Sequence, residues 1–330
     1  MKIAVVILNW NGTKLLEQFL PSVMAFSPEA NVYVADNAST DDSVAFVKAN
    51  FPDIKIIQNT DNFGFAKGYN QALQSVDEEI YALVNSDIEV TENWLSPVLK
   101  TFENEQKTAI IQPKILDFKN KEYFEYAGAA GGFIDQYGYP FCRGRIFDTI
   151  EKDNGQFDNA TEIFWASGAC FFIRKPIFRE LNGFDADFFA HQEEIDLCWR
   201  AFNKGFIAKY EPKSVVYHVG GATLQMGSPQ KTFLNFRNSL WMLTKNLPKS
   251  VLLTTIFIRL SLDGIAAFQF LFKGKPKHFF AVFKAHMYFY FRFFSNYKKR
   301  ETKQLPHYYK IKSIVEQYFI GGGKVFENLF

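Results

Sequence analysis

Short apolar runs alternate with helix-like segments over roughly the first 85 residues of the chain. The run Ile3–Leu8 is continuous and rich in β-branched residues, which is typical of a parallel strand covered on both faces. Three later runs predict further strands: Asn31–Ala35, Ile54–Gln58 and Ile80–Val84. Turn and capping residues precede three predicted helices: Thr13–Phe26, Ser43–Asn50 and Gly64–Ser75. This alternation predicts an α/β fold, a Rossmann-like and mostly parallel sheet with helices on both faces.

Polar residues stand at the carboxyl ends of all four predicted strands. They are Asn9, Asp36, Asn59 to Asn62, and Asn85 to Asp87. Ligands of open α/β sheets bind at that edge, so the arrangement predicts a binding site. The motif G-x-G-x-x-G does not follow the first strand, which counts against a dinucleotide-binding domain of the dehydrogenase kind.

The pattern changes twice in the rest of the chain. From residue 118 to 164, glycine and aromatic residues are frequent without helical periodicity, so we expect loops and short hairpins. Later segments predict a helix opened by Lys175-Pro176, a helix at Glu194–Lys204, and strands at Ile207–Tyr210 and Val215–His218. Beyond Thr232 the prediction is wholly helical: Phe233–Asn246, Val251–Phe272 and Pro276–Tyr297.

Charge and aromatic residues are distributed unevenly along the chain. Residues 1–250 contain 24 basic and 31 acidic residues, whereas residues 251–330 contain 13 and 4. In addition, 14 Phe or Tyr lie between Phe257 and Tyr297. We therefore expect a catalytic domain in residues 1–230 and a basic, aromatic-rich helical extension in residues 231–330. The extension is expected to contact an anionic membrane surface or a second subunit of a homodimer, and no nucleic-acid partner is expected.

Val251–Phe272 has the length of a membrane-spanning helix, but Arg259 and Asp263 interrupt it. An amphipathic hairpin in the membrane interface is favoured. The alternatives are a spanning helix, and a helical pair packed on the catalytic domain or on a second subunit. Cys142, Cys170 and Cys198 lack paired spacing, so neither a disulfide framework nor a zinc site is indicated. The first apolar run is too short for a signal peptide, which predicts a cytoplasmic location.

Carboxylates at the strand ends suggest a metal and nucleotide site. Asn85-Ser86-Asp87 ends the fourth strand, where a carboxylate can bind a divalent cation that bridges two phosphates. Asp36 can accept hydrogen bonds from a base or ribose. An aspartate at such a position is, however, more often an ordinary turn residue. The loop with Gly64 and Gly68 enters a helix, where backbone N–H groups can contact an anion.

Acidic residues also cluster at a later helix start, Glu193-Glu194-Ile195-Asp196. The helix dipole stabilises carboxylates there, so helix capping explains some of them. Asp196 points in a different direction from Glu194, so we expect at least one acid to have another role. His218 ends a strand before the loop 219–223 and can reach a metal or diphosphate, although a lone histidine is more often structural.

Eight segments occur in a fixed order between about residues 3 and 225. They are Val5–Gly12, Val34–Asp41, Asn62–Asn70, Leu83–Asp87, Gly168–Arg174, Gly183–Asp185, Glu193–Arg200 and His218. Together they resemble the family-2 inverting glycosyltransferases of the GT-A fold, in particular the rhamnosyltransferase-like members. The resemblance implies a GT-A nucleotide-diphospho-sugar transferase fold with a C-terminal helical extension.

The resemblance also implies roles for individual residues. Asp87 would hold Mg or Mn on the donor diphosphate, and His218 resembles a third metal ligand of some members. Glu194 would be the general base, with Glu193 as the alternative. The nucleotide-sugar donor would contact these residues: Asn9, Asp36, Asn62, Gly64, Phe65, Asn70, Asn85, Ser86 and Arg200.

Two positions depart from the family pattern. Asn85 occupies the first position of the D-x-D metal motif and cannot supply an anionic ligand. Glu194 replaces the usual Asp and reaches one methylene further. These departures keep open a second hypothesis, a catalytically inactive nucleotide-sugar or glycan-binding protein. A nucleotidyltransferase is disfavoured because no glycine-rich, basic loop follows the first strand.

The implied reaction is an inverting sugar transfer from a nucleoside-diphosphate donor, of the dTDP-rhamnose or UDP-sugar type. The implied acceptor is a hydroxyl of a cell-surface glycan or a polyprenyl-linked oligosaccharide. A lipid-linked acceptor and a basic extension together predict a peripheral position on the inner face of the cell membrane.

Overall fold

A computed structural model describes residues 1–220 and 227–330. The predicted alternation of strands and helices is confirmed in the N-terminal part, with bounds close to the predicted ones. The elements are β1 Ile3–Asn9, α1 Thr13–Phe26, β2 Ala30–Asp36, α2 Ser43–Asn50, β3 Lys55–Gln58, α3 Gly64–Ala72 and β4 Ile80–Asn85. The loop predicted after His218 includes Gly221 to Thr223, which lie outside the described residues.

The remainder contains elements that the sequence pattern did not predict, among them β5 Ile88–Val90, α4 Ser96–Asn104 and β6 Thr108–Asp117. The region 118–164 folds as short strands, as expected: β7 Gly132–Ile134, β8 Pro140–Cys142, β9 Arg145–Ile146, β10 Thr149–Ile150 and β11 Thr161–Ile163. Then follow β12 Cys170–Arg174, α5 Lys175–Glu180, α6 Glu193–Asn203, β13 Ile207–His218, α7 Pro229–Asn246, α8 Lys249–Phe272, α9 Pro276–Lys298 and α10 Ile314–Phe319.

One strand prediction was wrong. Two strands were expected between residues 207 and 218, but β13 is a single strand. Its pairing with β6 shifts register between Glu211 and Val215. Pro212 lies in this irregular stretch, and because proline has no N–H to donate it is tolerated at such bulges. The polar, proline-containing interruption therefore marks a bulge and not a turn.

The main sheet places the polar strand ends side by side. Its order is β11-β13-β6-β12-β4-β1-β2-β3, with β5 paired to β13. The strands β3, β2, β1 and β4 are parallel, whereas β12 runs antiparallel between β4 and β6. The register pairs Asn9 with Asp36 and Leu8 with Asn85. A second, four-stranded antiparallel sheet has the order β10-β9-β8-β7.

Strand β1 is buried on both faces, as its continuous apolar run predicted. Ile3, Val5 and Ile7 belong to one apolar cluster, whereas Ala4 and Val6 belong to the other. Successive side chains of a strand point to opposite faces, so the two clusters cover the two sides of the sheet.

The C-terminal helices pack on this core. Leu240, Trp241 and Leu243 of α7 are buried in the same cluster as the residues of α6. Near the end of the chain, Tyr308 and Ile314 are also buried in that cluster. The division of the chain at residue 230 stays a prediction, and α7 contributes to the main core.

Candidate active site

Asn9 and Asp36 are buried next to each other at the ends of β1 and β2. The Asn9 amide donates to Oδ1 of Asp36 at 3.0 Å. Ser39 donates its backbone N–H to Oδ2 at 2.9 Å and its hydroxyl to Oδ1 at 2.6 Å. These three hydrogen bonds hold the Asp36 carboxylate in one orientation. Oδ1 of Asn9 has no hydrogen-bond partner among the described residues.

Ser86 lies against the same loop. A methyl group added to Gly12 would be 2.4 Å from Oδ1 of Asn9 and 3.7 Å from Oγ of Ser86. The backbone N–H of Asn85 donates to the carbonyl of Ala169 at 2.9 Å, which ties the end of β4 to the start of β12. The structure thus brings four of the predicted donor-binding residues to one edge: Asn9, Asp36, Asn85 and Ser86.

His218 lies between two carboxylates. Its Nε2 is 3.2 Å from Oδ1 of Asp87, and its Nδ1 is 3.2 Å from Oε1 of Glu125. All three side chains are buried, and β13 pairs His218 with Ile88 of β5, the residue that follows Asp87. Burial alone would lower the pKa of His218, but the attraction of Glu125 and Asp87 is larger and raises it to about 10.

Glu125 was not predicted from the sequence. It lies in the region 118–164, where no periodic pattern singles out one acidic residue. Its Oε2 accepts the backbone N–H of Ala127 at 2.6 Å, which fixes the carboxylate within its own turn.

The Asp87–His218 pair fits part of a divalent-cation site once a cation displaces the imidazole proton at Nε2. Carboxylate oxygens and imidazole nitrogens both bind Mn²⁺. The 3.2 Å between their ligand atoms is close to the roughly 3 Å between adjacent ligands of a small octahedral cation. Within residues 1–220 and 227–330, no group of three or more His, Cys, Asp and Glu side chains is arranged to hold a metal ion.

Glu194 is the second residue of α6 and lies next to Gly168. A methyl group added to Gly168 would be 3.8 Å from the carboxyl carbon of Glu194 and 3.4 Å from the ring of Phe65. The next residue, Ala169, accepts the hydrogen bond from Asn85. The Glu194 side chain therefore lies against the segment that leads into β12, the strand that pairs with β4.

The two adjacent glutamates have unusual acidities. Burial raises the pKa of Glu194 to about 7, although backbone N–H groups at the helix start partly oppose it. Burial, and then the charge of Glu194, raise the pKa of Glu193 well above its usual range. The Glu193 side chain is buried and the Glu194 side chain as a whole is half-buried. In both, Oε2 is buried and has no hydrogen-bond partner among the described residues.

Asp196 and Arg200 form a buried ion pair with Lys245 of α7. Both Nε of Arg200 and Nζ of Lys245 are 2.8 Å from Oδ2 of Asp196. Arg200 also donates to the carbonyls of Leu181 and Gly183, at 2.5 and 2.9 Å. All three guanidinium nitrogens of Arg200 thus contact oxygen atoms of the protein itself. The contact of Arg200 with the donor stays a prediction, and these internal hydrogen bonds disfavour it.

The start of α3 differs from the expectation that its N–H groups contact an anion. The N–H of Gly64 donates to Oδ1 of Asn62 at 3.0 Å. The N–H groups of Phe65 and Ala66 donate to the carbonyl of Phe189, at 2.8 and 3.3 Å. These donors already have internal acceptors, and the expected anion contact at this helix start stays a prediction.

Asn70 is likewise engaged with the backbone. Its amide donates to the carbonyl of Phe184 at 2.7 Å and accepts the Phe184 N–H at 2.9 Å. The paired hydrogen bonds attach α3 to the turn before α6. The contacts predicted between the donor and Asn62, Gly64, Phe65 and Asn70 stay predictions.

The segment 187–192, which leads into the acidic helix start, is strained. Phe189, His191 and Gln192 have φ angles of 66°, 70° and 71°. Such conformations cost a non-glycine residue about 1 kcal/mol or more each, so neighbouring contacts must hold them. The buried amide of Asn238 is 2.7 to 3.0 Å from the carbonyls of Phe188, Ala190 and His191.

Arg237 adds contacts from its guanidinium to the carbonyls of Asp187 and Phe188, at 3.3 and 3.1 Å. Sequence reasoning missed both residues because they lie inside an ordinary predicted helix. No sequence signal singles them out, because Asn235 and Ser239 of the same helix are also polar.

Asn238→Ala is expected to lower kcat by about 10- to 100-fold, because a small misplacement of the catalytic segment is costly. It should also destabilise the fold by about 1–3 kcal/mol through unpaired buried carbonyls. Steady-state kinetics and denaturant unfolding would measure both effects. Asn235→Ala on the same helix is the matched control. A destabilised Asn238→Ala variant with unchanged kcat and an unchanged pH profile would contradict the positioning role.

The sequence of this chain is similar to those of known glycosyltransferases. The model of glycosyl transferase family 2 matches residues 4–181. N-acetylglucosaminyl-diphospho-decaprenol L-rhamnosyltransferase of Mycobacterium tuberculosis is 22% identical over 229 residues, which cover 65% of this chain and 75% of the relative. The low-salt glycan biosynthesis hexosyltransferase Agl10 of Haloferax volcanii is 23% identical over 244 residues, covering 72% and 73%.

Solved structures share the fold at low sequence identity. GalNAc-T7 with UDP, GalNAc and Mn²⁺ aligns with a TM-score of 0.60 and 16% identity, over 76% of this chain and 48% of that chain. The mannosyltransferase PcManGT of Pyrobaculum calidifontis with GDP-Man and Mn²⁺ aligns with a TM-score of 0.53 and 16% identity, over 87% of this chain and 86% of that chain. S. aureus TarS 1-349 with UDP-GlcNAc aligns with a TM-score of 0.56 and 14% identity, over 97% of this chain and 92% of that chain.

These likenesses confirm the predicted GT-A fold. The family model covers more than half of the chain, including β1, β2 and the end of β4 with Asp87. The chain therefore belongs to glycosyl transferase family 2, as its motifs predicted.

Proposed function

We propose that the protein transfers a sugar from a nucleoside-diphosphate donor to a hydroxyl group of a cell-surface glycan or a polyprenyl-linked oligosaccharide. The observation that carries this proposal is the Glu194 carboxyl, which has a pKa of about 7 and lies next to Gly168, just before the strand that pairs with β4. In this proposal a base and a cation ligand act at the same edge of the sheet. The names of the rhamnosyltransferase and hexosyltransferase relatives support a donor of the dTDP-rhamnose or UDP-sugar type.

Glu194 would act as the general base. Its carboxylate accepts the proton of the acceptor hydroxyl while that oxygen attacks the anomeric carbon. The bond between this carbon and the diphosphate oxygen breaks, and the nucleoside diphosphate leaves from the opposite face, which inverts the configuration. A carboxyl group with a pKa near the working pH is suited to this step, because it is substantially ionised and still basic.

Asp87 and His218 would hold a divalent cation, Mg or Mn. When bound, such a cation neutralises charge on the leaving diphosphate. Mn²⁺ in two structural neighbours supports this choice of cofactor class. Because Asn85 is neutral, Asp87 is the only carboxylate of the motif, which makes the imidazole the natural second ligand.

Asn9 and Asp36 would contact the nucleoside. The Asp36 carboxylate is held in place by Asn9 and Ser39, and carboxylate oxygens can accept further hydrogen bonds from a base or ribose. Oδ1 of Asn9 adds a buried acceptor without a partner among the described residues.

A transfer assay separates this proposal from a non-catalytic binding protein. The full chain would be incubated with Mn²⁺ and each of dTDP-rhamnose, UDP-GlcNAc and GDP-mannose, with and without a polyprenyl-diphosphate-linked sugar. We expect release of nucleoside diphosphate with one donor class, and a product of inverted anomeric configuration by NMR. Nucleotide binding without any release, from every donor, would favour the binding protein.

The proposed location is the cytoplasm, on the inner face of the cell membrane. A polyprenyl-linked acceptor is confined to a membrane, so the enzyme must reach that surface. The basic C-terminal helices are the part of the chain that would provide the contact.

A further inference from the structure

Helices α8 and α9 each leave one apolar stripe uncovered. The side chains that mark the stripes are between 57% and 86% exposed: Phe257, Ile265 and Phe272 on α8, and Phe283, Phe291 and Phe294 on α9. Within each helix their spacing is close to whole turns, so they share a face. We call these six side chains the outward face. Large aromatic groups exposed in such number mark an interaction surface.

The opposite side of α8 is attached to the protein. The buried guanidinium of Arg259 donates to the carbonyls of Tyr137 and Gly138, at 3.0 and 3.1 Å, and to Oγ of Ser239 at 2.6 Å. Asp263, one turn further on, is also buried. The two charges that interrupt this apolar helix therefore point toward protein.

These contacts determine how α8 can meet a bilayer. By length and composition it is the one helix in the described part of the chain that could cross a membrane. Crossing would require Arg259 to leave its three oxygen partners and enter hydrocarbon, which is costly. A helix that keeps these contacts can only lie along the surface.

The charge of the hairpin matches an anionic surface. Residues 249–300 contain ten Lys and Arg and a single acidic residue, Asp263. Lys273 and Lys275 in the turn between α8 and α9, and Lys277 at the start of α9, are all exposed. Interfacial helices combine such basic groups with aromatic side chains on the buried face.

We infer that the outward face of α8 and α9 lies in the interfacial layer of an anionic lipid bilayer. The helices lie along the membrane plane, the aromatic rings enter the layer between headgroups and acyl chains, and the lysine turn contacts the headgroups. A second copy of the chain is the weaker occupant, because pairing two such hairpins would bring together two surfaces with a large excess of positive charge. The inference deepens the lipid-linked acceptor of the proposed function, but binding to lipid does not require transfer.

Ion pairs connect this surface to the catalytic segment. On α9, Nη2 of Arg292 is 3.0 Å from Oδ2 of Asp187, and Nζ of Lys299 is 2.8 Å from the same oxygen. Lys299 is also 2.7 Å from Oδ1 of Asp185. Both aspartates precede the turn into Glu194, so a membrane-bound hairpin would hold the active site near acceptors embedded in the bilayer.

Vesicle co-sedimentation tests the inference. The full chain would be mixed with vesicles of phosphatidylglycerol and phosphatidylcholine in equal parts, or of phosphatidylcholine alone. The test variant is Phe291→Asp with Phe294→Asp, and the control is Phe319→Asp, another exposed phenylalanine, on α10. We expect binding to the anionic vesicles that weakens with salt, falls at least tenfold in the double variant, and persists in the control.

Two outcomes would overturn the inference. One is equal binding of the double variant and the wild type, or no binding of either to anionic vesicles. The other is a wild-type dimer that becomes monomeric in the double variant, by light scattering, without vesicle binding in either state, which would assign the face to a second copy. Donor hydrolysis in the same samples without vesicles tests the proposed function separately.

Discussion

Glu194→Gln is expected to lower kcat for sugar transfer by about 10²- to 10⁴-fold, the usual contribution of a general base. Glutamine has nearly the same shape but cannot accept the hydroxyl proton, so binding of the donor should be preserved. Initial rates at saturating donor would measure the loss. Glu193→Gln is the matched control, with a much smaller expected effect because Glu193 is fully buried. If the order of the two losses were reversed, Glu193 would be the base.

The pH dependence of the wild-type enzyme tests the same assignment. The base is active only as the carboxylate, and burial raises the pKa of Glu194 to about 7. We therefore expect kcat/KM, which reports the free enzyme, to fall about tenfold per pH unit below pH 7 and to level off above it. A rate that is constant between pH 5.5 and 8 would contradict this role of Glu194.

Asp87→Ala is expected to reduce kcat by roughly 10²- to 10⁴-fold, since a catalytic cation stabilises the transition state by several kcal/mol. The change removes the only carboxylate of the Asn85-Ser86-Asp87 motif and leaves a neutral pair of neighbours. The rate should be measured against Mn²⁺ concentration, together with direct binding of Mn²⁺. Asp53→Ala, an exposed aspartate in the turn before β3, is the control.

The metal dependence of the Asp87→Ala variant separates two explanations. If Asp87 is a ligand, the concentration of Mn²⁺ needed for half-maximal rate should rise strongly, and chelation by EDTA should abolish wild-type activity. Full activity of the variant at the wild-type Mn²⁺ concentration would show that the cation is held by other groups, or that transfer proceeds without it.

The linear pattern was sufficient to predict the sheet around the donor edge. Ile3–Leu8 reads as a strand buried on both faces because burial is encoded in the composition of the run itself. The carboxyl ends of parallel strands lie at one edge of a sheet, so the sequence alone predicted that Asn9, Asp36 and Asp87 lie at that edge. The order of the motifs also identified the family, which the match over residues 4–181 confirmed.

The hydrophobic pattern did not predict contacts between segments that are distant in the sequence. Glu125 lies beside His218, and Asn238 holds the strained segment before Glu194, although neither has a distinctive sequence setting. The internal partners of Arg200 and of the α3 N–H groups were equally unforeseen. Each of these contacts depends on which backbone carbonyls the folded loops present, and local periodicity carries no information about them.

Helix α8 illustrates which features the sequence determines and which depend on the tertiary structure. Arg259 and Asp263 are four residues apart, so the sequence placed both charges on one side of an apolar helix. Periodicity specifies which residues share a face, but not what covers that face. Only the tertiary structure showed that the Arg259 guanidinium donates to the carbonyls of Tyr137 and Gly138. Because this side of α8 faces the protein, its aromatic side is left uncovered.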